Sequence, residues 1–262
     1  MRKLIAVFFA LLTAMSGAHA QNEDGCLGPI ANLRGSAPVM NASLTSEEVQ
    51  ITFIGHSTFL IESPKGVRIA TDYNDYVRPR AIPDIATMNH AHDTHYTNNP
   101  DPRIPHVLKG WGSEGDQARH NVQFQDVHVR NVPTNIRSFS GNTEFYGNSI
   151  FVFEISGLCV AHLGHLHHTL SKEHLRALGK IDVVMVPVDG SWTMDVNGMI
   201  EVLEALKAPM MIPMHYFSQS ALNRFLTQLG DRFTIKRQDN PAIIISRATL
   251  PERPTLVVLP GR

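Results

Sequence analysis

The sequence predicts a mixed α/β sandwich, sheets inside and helices outside. Three observations carry this. Residues 49–72 contain short runs rich in β-branched and aromatic residues, separated by turn signals such as "SPKG". Residues 171–246 alternate between helical and strand-like segments. The chain of 262 residues shows no internal repeat and no low-complexity tract, so its length suits one large domain or two small ones.

The elements follow in order. "MRK", an apolar run and "AHA" read as a secretory signal peptide over residues 1–20, cut before Gln21. Residues 21–44 form an extended lead-in, and residues 45–262 the folded domain. "VQITFIG", "STFLIES", "VRIATD" and "DIATMNH" are strands, the last running into histidines. Residues 98–115, rich in Pro, Asp and Gly, predict a long loop. "NVQFQDVHVRNV" alternates as one strand, and "EFYGNSIFVFEISGLCVAHLG" as two strands joined at "SG". "SKEHLRALG" has the Ser N-cap and Gly stop of a helix. "IDVVMVPV", "PMMIPMH" and "AIIIS" are strands; "DVNGMIEVLEALKA" and "SQSALNRFLTQLG" are helices between them.

Charge narrows the function. A net charge of −1, with no Lys/Arg cluster, argues against a nucleic-acid partner or a membrane surface. After signal removal no stretch is apolar enough to span a bilayer, so the mature chain is expected to be secreted and periplasmic, with a small-molecule substrate. Export permits a disulfide between Cys26 and Cys159, although Cys159 in "GLCVAH" also reads as a small buried hydrophobe.

Histidines carry the chemistry. "HAHDTH" places His90, His92 and His95 in six positions, and "HLGHLHH" places His162, His165, His167 and His168 in seven. Both clusters follow apolar strands, as does His215 after "MMIPM". A strand end fixes the backbone while the next turn aims the side chain. Gly164 lets the chain bend between His162 and His165. Neutral imidazoles suit zinc, and also iron, manganese, nickel or copper, so one or two ions are expected. The isolated His106, His120, His128 and His174 read as structural or surface groups.

These residues resemble the metallo-β-lactamase-fold hydrolases, within them the branch of ascorbate-6-phosphate lactonase-like proteins. The resemblance runs from about Val49 to Ser246: "FIGHSTFLIES", "IATD", "HAHDTH", "AHLGH", "VPVDGSWTMD" and "IPMHY" keep that family's order. It implies an αββα sandwich with metals at one edge, one held by His90, His92 and His162, the other by His95 and His215 with positions 94 and 165. Two positions depart. The family's aspartate before the third histidine is Thr94, with Asp93 one place earlier, and its bridging aspartate is His165. A neutral imidazole has one lone pair and cannot bridge two ions. Either one metal is bound, or anions complete two, which favours an anionic substrate.

Asp93 is open to three readings: ligand, general base, or turn former. His56 either lines the site or is a core histidine. Asp72 and Asp189 could orient ligand imidazoles or simply end strands. His167 is a further ligand or an acid, whereas His168 is expected to face solvent. Tyr216 donates to a developing oxyanion or packs beneath the site. The function expected is hydrolysis of an ester, lactone, amide or phosphoester by a metal-activated water. The rivals are metal binding without turnover and an iron or copper redox site.

Overall fold

The structure, a computed structural model, describes residues 44–261 apart from 91 and 139. The expected signal peptide, lead-in and Cys26 lie outside the described residues. No helix among the described residues is long and apolar enough to cross a membrane.

Two sheets face each other. The first contains β1 (Val49–Gly55), β2 (Thr58–Glu62), β3 (Arg68–Ala70), β4 (Ile85–Met88), β5 (His106–Lys109) and β13 (Ala242–Ile245), in the order β13-β1-β2-β3-β4-β5. The second contains β6 (Asn121–Phe124), β7 (Val127–Arg137), β8 (Thr143–Ile155), β9 (Leu158–His162), β10 (Val183–Pro187), β11 (Met210–Met214), β12 (Thr234–Arg237) and β14 (Thr255–Val258). Its order is β12-β14-β11-β10-β9-β8-β7-β6.

Alternation along the strands builds the core between the sheets. In β1, Val49, Ile51 and Phe53 turn inward with Phe59 and Ile61 of β2, against Phe151, Phe153, Met185 and Ile212 of the second sheet. The outward residues of the central second-sheet strands, such as Val184 and Val186, meet a second cluster. There α1 (Lys172–Leu178), α2 (Val196–Leu206) and α3 (Gln219–Leu229) contribute Leu178, Leu203 and Phe225. Each helix starts on a side-chain cap, Ser171, Asp195 or Ser218, which satisfies backbone N–H groups of the first turn. The outer face of β3 and β4 carries a smaller cluster of Ala70, Ala86 and Met88, closed by Tyr73 and Ile104 from loops. The described α-helices therefore gather on one side of the sandwich.

Two expectations need correction. The stretch 98–115 is not only loop: β5 lies within it, pairing parallel to β4. Such an edge strand of four residues, set among prolines, leaves little alternation to read. "NVQFQDVHVRNV" is a hairpin, β6 to β7, turning at Gln125 with φ 52°. Its alternation continues through both arms, which hides the turn. β12 and β14 carried no expectation, yet β14 pairs between β12 and β11.

Parallel pairing positions the site. β9, β10 and β11 run parallel, with His162 opposite Met185 and Pro187 opposite Met214, so their C-terminal ends share one edge. β4 is parallel to β3 and β5 and ends just before Asn89. The His215 amide donates to the His56 carbonyl at 2.7 Å, tying the first sheet's β1–β2 turn to the end of β11.

Candidate metal centre

Four imidazoles converge at this edge: His92, His95, His165 and His215, with ligand atoms all within 4.8 Å of one another. His92 Nε2 lies 3.0 Å from His165 Nε2, and His95 Nε2 lies 3.1 Å from His215 Nε2. His95, His165 and His215 are buried. Local backbone is bent to achieve this. His56, Asp72 and His215 hold positive φ of 51°, 43° and 55°, an uncommon state for residues with a Cβ. Gly164 turns at φ 59°, and a Cβ there would collide with the side chains of Asn148 and Asn89.

Carboxylates set two of the rings. Asp72 Oδ2 lies 2.5 Å from His95 Nδ1, and Asp189 Oδ1 lies 3.1 Å from His215 Nδ1. A carboxylate acceptor keeps the proton on Nδ1 and turns the Nε2 lone pair toward the centre. Asp72 is held in turn by Asn89 Nδ2 at 2.9 Å. The Asp189 carboxylate also receives the amides of Ser191 and Thr193 and the Thr193 hydroxyl.

Burial pushes the Asp72 carboxyl up, partly offset by His162 and the Asn89 hydrogen bond. For Asp189 burial acts in the same sense, but the hydrogen bond and charge of His215, with Thr193 and the Ser191 amide, hold it well below the usual carboxylate range. Burial and the mutual repulsion of the cluster keep His95 and His165 well below an ordinary imidazole. His56 is lowered to about 3, chiefly by burial and then by His215. His56, His95 and His165 are therefore neutral near pH 7.

The other two rings are set differently. Thr94 Oγ1 lies 2.8 Å from His92 Nδ1 and 3.0 Å from His56 Nε2, so one hydroxyl links both. His165 Nδ1 lies 2.5 Å from His167 Nε2, and His167 Nδ1 accepts the Arg137 amide at 2.5 Å. That chain of bonds assigns the tautomers. A neutral His167 accepting at Nδ1 carries its proton on Nε2 and donates to His165 Nδ1. His165 then presents an N–H, not a lone pair, to the cluster.

The donor set fits a metal. Two ligand nitrogens about 2.0–2.1 Å from a tetrahedral zinc lie roughly 3.3 Å apart, close to the 3.1 Å between His95 and His215. Three imidazoles, His92, His95 and His215, can hold an ion, leaving the fourth direction beside His165.

The remaining expected site residues lie elsewhere. His90 is turned away: its Nδ1 meets Glu144 Oε1 at 2.7 Å and its ring stacks on Trp111 at 5.0 Å. His162 points into the core. Its Nδ1 accepts the Gly164 amide and its Nε2 donates to the Ser57 carbonyl at 2.8 Å, so no lone pair remains. These two do not join His92 as a triad. Asp93 is exposed and accepts the Tyr76 hydroxyl at 2.8 Å. Tyr216 is half-buried, with its hydroxyl toward the Leu259 carbonyl at 3.5 Å. His168, expected in solvent, binds the Asn135 amide and the Thr169 carbonyl. His174 completes the capping box of α1, and His106, His120 and His128 sit against strand neighbours.

Sequence reasoning missed Ser57, Asn148 and Glu144 and gave Asn89 no role. Asn148 Oδ1 accepts the His165 amide at 2.9 Å, and Asn89 braces Asp72. A polar Asn at the end of an apolar strand was the available signal for Asn89; Asn148 inside β8 offered none.

The sandwich and its imidazole cluster place the chain among the metal-dependent hydrolases. The profile of the β-lactamase superfamily domain matches residues 50–215, a span that takes in every member of the cluster, and the chain belongs to that superfamily. The UPF0173 metal-dependent hydrolase of Thermoplasma acidophilum is 26% identical over 191 residues, covering 65% of this chain and 84% of that protein. Its counterpart in Carboxydothermus hydrogenoformans is 27% identical over 192 residues, covering 64% and 84%. A Thermotoga maritima crystal structure, described as a zinc-dependent hydrolase of the metallo-β-lactamase superfamily, is 27% identical with a TM-score of 0.59. That match covers 82% of this chain and 100% of the other.

Proposed function

We propose that the chain is an exported hydrolase that uses a single zinc ion to open a carboxylic ester or lactone. The carrying observation is that carboxylates at Nδ1 leave the Nε2 lone pairs of His95 and His215 facing one point, while His167 at Nδ1 leaves His165 an N–H there. Structural zinc sites close with four ligands, whereas catalytic ones keep a position open. That contrast favours turnover over storage of the metal. An ion held there would acidify a water and polarise the bond to be broken.

The chain's own residues do the rest. Asp72 and Asp189 lock His95 and His215 in orientation. His165 is placed to donate a hydrogen bond to an oxygen that gains charge, with His167 behind it holding its tautomer. No carboxylate belongs to the cluster, so nothing from the protein would bridge a second ion. Phosphoester hydrolysis commonly relies on two metals, so one ion favours carbonyl chemistry. This reading keeps the lactonase-like resemblance as its nearest analogy.

Metal analysis of the purified protein, combined with turnover of an aryl acetate, a γ-lactone and a phosphodiester, tests it. One zinc per chain and activity on the first two is expected. Two ions with a preference for the phosphodiester would overturn it. Export is tested by cell fractionation and by N-terminal sequencing, which should begin at Gln21.

A further inference from the structure

Most large apolar side chains of this fold are buried, and the exceptions are not scattered. The strongly exposed ones are Tyr76, Phe145, Trp192, Phe217, Ile235 and Ile244. The two isoleucines sit on β12 and β13. All four aromatics sit on segments tied to the histidine motifs. Tyr76 donates to Asp93, beside His92. Phe145 follows Glu144, the partner of His90. Trp192 belongs to the turn wrapped round Asp189. Phe217 lies two residues beyond His215, and its ring is 5.3 Å from the rings of both His56 and His215. Of the four, Phe217 is set against the site histidines, and an exposed aromatic ring beside a polar site marks ligand contact rather than packing.

Phe217 lines a cavity of about 510 Å³ together with His56, whose ring lies 4.2 Å from that of His215 in the cluster. His56 and Phe217 form its side next to the metal centre, while Phe53, Tyr216 and Leu259 give it an apolar wall. Arg237, at the end of β12, also lines it. One arm of that guanidinium donates to Asn223 Oδ1 at 3.1 Å, out of five N–H donors. Asp239 lines the same cavity, so an anionic ligand group has its pairing partner in Arg237 and would avoid the neighbouring acid.

We infer that this cavity is the substrate's acyl pocket, and that the substrate is an aryl-bearing ester or lactone with an anionic group at its far end. The scissile bond sits at the cluster, the aromatic body lies against Phe217, and the anion meets Arg237. This rests on the metal-dependent hydrolase reading above.

Three hydroxamates, which chelate zinc through one common group, test it by calorimetry on the zinc-loaded protein. They are acetohydroxamate, phenylacetohydroxamate and its para-carboxymethyl derivative. The phenyl group should tighten binding about tenfold over methyl, and Phe217→Ala should remove that gain. The distal carboxylate should add about threefold, a gain that Arg237→Gln removes while leaving the phenyl gain intact. Both residues are exposed, so neither change disturbs the core. Equal affinities for the three probes, or gains indifferent to both substitutions, would overturn the inference. If zinc is bound while the affinities stay equal, the pocket assignment fails alone. A protein that takes up no zinc removes the metal reading and the inference with it.

Discussion

Asp72 Oδ2 lies 2.5 Å from His95 Nδ1 with both side chains fully buried, and the carboxylate decides which face of the ring is free for a metal. Asp72→Asn replaces an obligate acceptor with an amide that can also donate. Asn tolerates the φ of 43° at this position, so the backbone should hold. Metal affinity should fall by about 10–100-fold, the usual effect of losing such a partner. Competition against a chromogenic chelator measures it; unchanged affinity would show that the carboxylate does not orient the ring.

His165 differs from the ligands in the proton it carries. His165→Gln keeps an N–H donor and should retain one metal per chain, whereas His95→Gln should lose it. Turnover should largely survive in His165→Gln and drop by about 100-fold or more in His165→Leu, the usual cost of losing a donor to a developing oxyanion. Metal content reduced equally in His165→Gln and His95→Gln would place His165 among the ligands.

Acid should unfold the metal-free protein early. His56 titrates at about 3 and His167 at about 4 in the fold, and His95 and His165 are also depressed. In the unfolded chain all four take up protons near the ordinary imidazole value of about 6.5. Below that pH the unfolded state binds more protons, so stability is full above it and is lost as pH falls toward 4. Each buried histidine can remove up to about 1.4 kcal/mol per pH unit. Asp72, raised by burial, opposes this with a single proton. Thermal melts in EDTA at pH 7.5, 6 and 5 should show a steady fall in Tm, and a flat Tm would contradict the neutral cluster.

Gly164→Ala tests the bend between the second pair of histidines. The residue holds φ 59°, and the new methyl would press on Asn148 and Asn89. The substitution should cost about 2–3 kcal/mol or more in urea unfolding. It should also weaken metal binding, because Asn148 holds the His165 amide and Asn89 braces Asp72. A near-neutral effect on both would mean that the loop accommodates a side chain.

Much of this was legible in the linear chain because it rests on local chemistry. The runs "VQITFIG" and "VVMVP" are β1 and β10, and Ser171 with Gly179 bounds α1, since alternation, β-branching and caps act within a few residues. The crowding of histidines at strand ends was equally visible, and with it the metal chemistry. Short elements without such signals, β5, β12 and β14, form because a neighbouring strand offers them a ladder.

The choice among histidines belonged to the tertiary structure. His90 and His92 are two apart in sequence, yet one stacks on Trp111 and the other meets His165, because β8 brings Glu144 to the first and β9 leads to the partner of the second. His162 and His165 flank the same glycine, yet Ser57 and the Gly164 amide occupy both nitrogens of the first. Sequence spacing states how many imidazoles reach an edge. Which nitrogen keeps a lone pair there depends on hydrogen-bond partners 23, 26 and 105 residues away, and only the folding of two sheets against each other brings those partners into contact.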